Sequence, residues 1–332
     1  MKKAMFFKSL EDEKVQCRLC PNNCIISSGN VGSCRVRKNV DGVLYSLNYG
    51  KIVSLAIDPI EKKPLYHFYP GSESLSIATV GCNFHCRFCQ NWEISQSEVM
   101  LGEDMTPQDV VDLALLKGVK SISYTYTEPT IFFEFAYDTA KLAHRHGIKN
   151  VFVTNGFINP EPLKKILPYL DAANIDVKSF RDAFYQKLCG VRGFSPVIDT
   201  IRLAYRLGVH IELTNLLIPG WNTSSVQIRE LCEWVFRLDK RIPLHFSRYF
   251  PAYKMTVEPT PVAVLEQAYS IAKKVGLDNV YVGNVACGRQ DTYCPSCGEL
   301  LIERKMGIEP VQKLIKGACP KCKHKVYGVE LL

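Results

Sequence analysis

From Leu75 to Gly283 the chain alternates short apolar runs with longer amphipathic stretches, and this constrains its fold more than any other feature. Strand-like runs fall at 75–80, 120–126, 149–154, 172–177, 209–217, 242–247 and 279–283. Helical periodicity falls between them, at 107–117, 130–146, 161–170, 195–207, 223–238 and 261–275. Thr106-Pro107 marks the first helix start, a capping hydroxyl followed by proline in the first helical position. Gly118, Gly147, Gly208 and Gly276 stand where helices should end. Regular strand–helix repetition predicts a parallel sheet with right-handed crossovers. About six such units are too few to close an eight-fold barrel. The spacing therefore predicts an α/β fold, a partial (β/α)6 TIM-like barrel, with its chemistry gathered at the C-terminal ends of the strands.

The loop after the first of these strands reads Gly81-Cys82-Asn83-Phe84-His85-Cys86-Arg87-Phe88-Cys89. Three thiolates delivered by one short loop can hold three corners of a [4Fe–4S] cube. Such a cube ordinarily takes four cysteines, and no fourth follows locally, so one iron would stay open. A structural zinc site, the alternative, wants four ligands in closed geometry.

Eleven of the fourteen cysteines fall in three tight groups, which points to metal ligation rather than disulfides. The first group is Cys17, Cys20, Cys24 and Cys34, set among the turn formers Pro21, Asn22, Asn23, Gly29 and Gly32. Four thiolates there suit either zinc or a second iron–sulfur cluster. The last group is Cys294, Cys297, Cys319 and Cys322, two C-P-x-C knuckles at zinc-ribbon spacing. Zinc is preferred there over a rubredoxin-like iron. Cys287 offers an alternative iron–sulfur set with Cys294 and Cys297, while Cys189 and Cys232 lie alone on helical patterns and read as core.

These landmarks divide the chain into three parts. Residues 1–72 form a Cys-rich metal knuckle and connector, 73–285 the partial barrel, and 286–332 a zinc-ribbon-like element. The runs Val43–Gly50 and Ile52–Ile57 suggest a small β-element carrying the first knuckle. Asp58–Ser72, rich in proline, reads as an extended connector, either a surface linker or part of a site mouth.

Polar residues recur at successive strand ends: Thr125, Thr127 and Glu128; Thr154 and Asn155; Asp176 and Lys178; then Asn215. Each alone could cap a helix or form a turn. Together they predict a shared pocket. The formal net charge of +8 permits an acidic partner and leaves nucleic acid open, but Lys and Arg are dispersed. No apolar run approaches the roughly 18–20 residues that span a bilayer. The N-terminus lacks a full secretory apolar region. The expectation is a cytoplasmic protein with no membrane partner.

The loop "GCNFHCRFCQNWEIS", with "CRLCPNNC", "DPIEKKPLYHFYPG", "SYTYTEPTIFFE", "TNGF", "IDVKSF", "YVGNV" and "TYCPSCG", resembles the radical SAM superfamily. Within it the chain is similar to the pyruvate formate-lyase-activating-enzyme branch, and most similar to the radical SAM enzymes of the AmmeMemoRadiSam system. The resemblance implies that Cys82, Cys86 and Cys89 are the catalytic residues. They would hold a [4Fe–4S] cluster that reductively cleaves S-adenosylmethionine (SAM) to a 5′-deoxyadenosyl radical, which abstracts hydrogen from a substrate. It implies SAM contacts from Phe88 near the adenine, from Glu128 to the ammonium, and from Thr127, Thr154 and Asn155 to carboxylate or ribose. Asp176 and Lys178 match an Asp-x-Lys of the branch, and His245 or Arg248 would contact SAM late in the barrel. Thr127-Glu128-Pro129 replaces the usual Gly-Gly-Glu, and Val153 replaces an aspartate that helps bind a monovalent cation in the branch. The implied partners are an electron donor such as flavodoxin or ferredoxin and a protein substrate carrying a backbone glycine. Radical modification of RNA or another protein is the alternative within enzymes. A non-catalytic iron–sulfur electron-transfer or metal-scaffold protein is the alternative from another class.

Overall fold

Eight strands lie side by side in sequence order: β1 (Ser54–Pro59), β2 (Glu73–Ala78), β3 (Ser121–Tyr124), β4 (Lys149–Thr154), β5 (Ala172–Asp176), β6 (His210–Leu217), β7 (Leu244–Arg248) and β8 (Val280–Gly283). These belong to a computed structural model that describes residues 1–305 and 310–331; residues 306–309 and 332, inside the expected C-terminal element, lie outside the described residues. From β2 to β8 every pairing is parallel, whereas β1 runs antiparallel to β2. Helices α1 (Pro107–Lys117), α2 (Phe133–Arg145), α3 (Pro160–Ile166), α4 (Ser195–Arg206), α5 (Ser225–Asp239) and α6 (Val262–Val275) make the crossovers. β1 and β8 are not paired, so the sheet is a partial barrel, as the repeat count predicts. Strands such as β3 and β6 are buried almost throughout, the pattern of a parallel sheet covered on both faces. The α1 start is a capping box: Asp109 N–H donates to Thr106 Oγ1 at 3.2 Å, and Thr106 N–H donates to Asp109 Oδ2 at 2.8 Å.

Two expectations change. The run at 52–57 does not belong to a separate β-element; most of it is the barrel's antiparallel edge, β1. Nor is 58–72 a surface linker. Ile60, Leu65 and Phe68 pack against Val151 of β4 and Ala172 of β5. Its polar groups are satisfied inside the barrel: His67 N–H donates to Glu212 Oε1 of β6 at 2.7 Å, and Asn174 Nδ2 of β5 donates to the Pro64 carbonyl at 2.8 Å. The segment is a plug crossing the barrel interior. Proline content hid this, because an extended chain without regular hydrogen bonds can be buried wherever side chains satisfy its backbone.

The N-terminal region forms two small sheets, one of Phe7–Ser9, Val15–Cys17 and Ile25–Ile26, the other of Lys2–Lys3, Val43–Ser46 and Arg37–Val40. A fully buried bidentate pair ties it to α2: Arg37 Nη1 lies 3.1 Å from Glu134 Oε1, and Arg37 Nη2 lies 2.5 Å from Oε2. Breaking such a pair by removing one partner costs about 3–5 kcal/mol. The C-terminal region adds the sheet Thr292–Tyr293, Leu300–Glu303 and Val311–Gln312 with its own small core. It docks on the plug through Val329 N–H to the His67 carbonyl (2.8 Å) and Tyr69 N–H to the Val329 carbonyl (3.0 Å). No described helix is long and apolar enough to cross a membrane.

Candidate functional site

The Cys82–Cys89 loop leaves the C-terminal end of β2 and is fixed by backbone bonds on three sides. Gly81 N–H donates to the Ile94 carbonyl at 2.9 Å, while His85 and Arg87 N–H groups each donate at 2.8 Å to the carbonyls of Cys189 and Leu188. Asn83 Nδ2 donates to the Phe157 carbonyl at 2.8 Å, beyond the end of β4. The loop therefore takes its shape from the barrel mouth. Its thiols lie within electrostatic reach of one another. Phe84 N–H points at Cys82 Sγ at 3.4 Å, and Ser95 Oγ sits 3.2 Å from Cys89 Sγ. Burial pushes the Cys82 and Cys89 thiols up. Cys86 is instead held below its ordinary value, first by a hydrogen bond from Cys189 and also by the charge of Lys178.

Glu128 is buried at the end of β3, and its carboxylate gathers neighbouring strand ends. Oε1 accepts from Thr130 N (3.0 Å), Thr130 Oγ1 (2.6 Å) and Thr154 Oγ1 (2.7 Å); Oε2 accepts from Asn155 N (2.8 Å). Burial nevertheless raises its pKa, with these donors opposing the shift. Asn155 Nδ2 donates to Asn83 Oδ1 at 2.8 Å, which links Glu128 to the cysteine loop. Thr127 Oγ1 donates to the Thr79 carbonyl at 2.9 Å. At the end of β5, Lys178 Nζ pairs with Asp176 Oδ2 at 2.7 Å and stands 5.7 Å from the centroid of the buried Phe88 ring. Burial disfavours the lysine's charge, but Asp176 and the Cys86 thiolate outweigh it and raise its pKa.

The structure thus brings Cys82, Cys86, Cys89, Phe88, Thr127, Glu128, Thr154, Asn155, Asp176 and Lys178 to one end of the barrel. His245 stands elsewhere. Its Nε2 is 2.7 Å from Glu212 Oε2 and its ring packs edge-on against Tyr66 at 4.8 Å, inside the plug's polar cluster. Arg248 Nε donates to the Thr260 carbonyl at 2.8 Å.

Cys189 is fully buried in the main core, as the sequence reads, and it also lies against Cys86. Asn83 and Ser95 also went unread; an asparagine between two cysteines and a serine six residues beyond the last carry no sequence signal of their own. Tyr126 is another. It adopts a left-handed backbone with φ of 62°, its hydroxyl bonds Asp58 of β1, and its carbonyl accepts from Asn91 Nδ2 at 2.8 Å.

At the C-terminus, Cys294, Cys297, Cys319 and Cys322 bring their sulfurs within 4.8 Å of one another. Pairs stand at 3.5 Å (Cys294–Cys322) and 3.7 Å (Cys297–Cys319). Zinc–sulfur bonds of about 2.3 Å in a tetrahedron set sulfurs about 3.8 Å apart, so this set fits one zinc ion. Cys287 is outside the group and packs against the main core. The N-terminal Cys17, Cys20, Cys24 and Cys34 line one small cavity beside Arg37.

A family model described as the radical SAM superfamily matches residues 76–235. An uncharacterized protein of Methanocaldococcus jannaschii is 49% identical over 309 residues, covering 92% of each chain. A probable GTP 3′,8-cyclase of Sulfolobus acidocaldarius is 27% identical over 45% of this chain and 47% of its own, so this chain matches about half of that relative. Among solved structures, Streptococcus suis SuiB bound to S-adenosylmethionine superposes with a TM-score of 0.52 at 17% identity, over 68% of this chain and 53% of that one.

Proposed function

This chain belongs to the radical SAM superfamily, and from that membership we propose that it generates a SAM-derived radical at Cys82, Cys86 and Cys89 and abstracts hydrogen from a protein. The observation that carries the reading is the convergence of three thiols from one loop with the Glu128–Asn155 network at the strand C-termini. Three thiols within electrostatic reach fit a cubane with one open iron, and the half-buried mouth fits its access. When bound, the cluster and SAM supply one-electron cleavage of an S–C bond and a carbon radical strong enough to take a substrate hydrogen atom.

The chain's own residues bind and orient. Glu128 offers a fixed anion for the SAM ammonium. Its four donors hold the carboxylate in place, so little ordering remains to be done on binding. Asn155, bonded to both Glu128 and Asn83, sets the distance between that anion and the cysteine loop. Phe88 and Lys178 form an apolar and cationic wall, and Asp176 keeps the lysine charged.

The unclosed edge between β1 and β8 supports a polymeric substrate. A separate groove lies beside the plug, lined by Lys62, Tyr66, His245, Asn284, Arg304 and Lys305, among others. A glycine Cα–H is the donor we assign. The test supplies a protein fraction from cells fed α-deuterated glycine to the reduced enzyme with SAM. Deuterium in the 5′-deoxyadenosine is the expected result. Unlabelled nucleoside, formed only when that fraction is present, would contradict the glycine assignment.

A further inference from the structure

Four thiolates can hold zinc or an iron–sulfur cluster, and geometry separates the two. Around one zinc ion all four sulfurs sit about 2.3 Å from a common centre, so they touch and leave no space between them. Around a cubane each thiolate binds a different iron, so the sulfurs stand apart around a larger core. The chain contains both arrangements. Among the described residues, the C-terminal four bring their sulfurs within 4.8 Å of one another, and the N-terminal four do not meet that spacing. Instead, Cys17, Cys20, Cys24 and Cys34 line one small cavity that just admits a water-sized sphere.

The cavity wall adds a second observation. Arg37 lies on it, fully buried, with both terminal nitrogens engaged by Glu134 and its Nε–H without a partner among the described residues. An unpaired buried donor costs about 1–3 kcal/mol, and sulfur acceptors in a filled cavity, thiolate or inorganic sulfide, would satisfy it. Leu19, Ile26 and Ile131 complete an apolar wall, which keeps water from an acid- and oxygen-labile core.

We propose that Cys17, Cys20, Cys24 and Cys34 hold a second [4Fe–4S] cluster, while zinc is confined to the C-terminal four. The site abuts the Cys82–Cys89 loop. Asn22 Nδ2, between Cys20 and Cys24, donates to the Asn83 carbonyl at 2.9 Å, and Ser33 Oγ lies 2.9 Å from His85 Nε2. Gly81 has φ of 99°, and a Cβ there would meet the Cys34 carbonyl at 2.9 Å. The two loops therefore fold as one unit, yet the second cluster does not depend on SAM chemistry; a chain inactive towards SAM would still fill it.

The test uses full-length Cys82→Ala/Cys86→Ala/Cys89→Ala protein, reconstituted anaerobically with iron, sulfide and zinc. The proposal predicts about four iron, about four sulfide and about one zinc per chain. Adding Cys17→Ala/Cys20→Ala should abolish the iron and sulfide and leave the zinc, with an unchanged circular-dichroism spectrum showing that the chain is folded. If the triple variant does not fold, wild type must carry about eight iron per chain and Cys17→Ala/Cys20→Ala about four. Two zinc ions per chain with no residual iron, or one iron without sulfide, would overturn the assignment.

Discussion

Glu128 shows how much one side chain does at the barrel mouth. It is buried, it collects donors from Thr130, Thr154 and Asn155, and burial keeps its pKa above the ordinary glutamate value. Glu128→Gln preserves the shape but removes the anion. A hydrogen bond to a charged group contributes about 1.5–3 kcal/mol, so SAM affinity should fall about 10- to 100-fold, measured by equilibrium binding to the reconstituted protein. The sign of the pKa shift adds a second expectation. A raised carboxyl protonates at a higher pH than usual, so SAM affinity should decline on acidification above the normal glutamate range, and the Gln variant should lack that limb. Equal affinity in both proteins would remove Glu128 from the site. Glu128 was legible in sequence because it follows a strand and precedes a helix. Its partner Asn83 was not, since its role depends on Asn155, 72 residues away.

The plug is the element the sequence hid. Prolines and charges at 58–72 look like surface, and only the folded barrel reveals that Glu212 of β6 accepts from this segment's backbone. Around Glu212, burial would raise the carboxyl, but hydrogen bonds from His210 and His245 outweigh it and hold it well below the usual carboxylate range. His67 is pushed down to about 4, by burial first and by Arg304 among the opposing and assisting charges. Both shifts run the same way. A depressed histidine favours its neutral form in the fold, so stability is complete above its unfolded value of about 6.5 and declines as pH falls towards about 4. The loss from His67 reaches about 3 kcal/mol; Glu212 adds its own below about 4.5. Denaturant unfolding between pH 7 and pH 4.5 should show this slope, and His67→Gln should flatten it. An unchanged slope in that variant would place the proton uptake elsewhere. The barrel strands and helices, by contrast, were readable within a few residues, because apolar period and glycine stops are local signals.

At the scale of the molecule, one barrel carries two cysteine-rich attachments with separate anchors. The N-terminal one is fixed through Arg37–Glu134 and the Asn22–Asn83 contact, the C-terminal one through the plug at His67 and Tyr69. Separate anchors predict separable losses. Cys294→Ala/Cys297→Ala should lose about one zinc per chain, expose 286–331 to proteolysis and leave the iron content unchanged. Parallel loss of iron would show that the ribbon supports the barrel mouth after all. Sequence spacing marked both attachments as cysteine groups and preferred zinc for the C-terminal one, but left zinc and iron open for the N-terminal one, because the distances among sulfurs exist only in the fold. The decisive measurement is 5′-deoxyadenosine formed from SAM by anaerobically reconstituted, dithionite-reduced protein, beside the Cys82→Ala/Cys86→Ala/Cys89→Ala variant. Product from wild type and none from the variant is the predicted result. No product from iron-replete wild type, or equal product from the variant, would contradict radical generation at this loop.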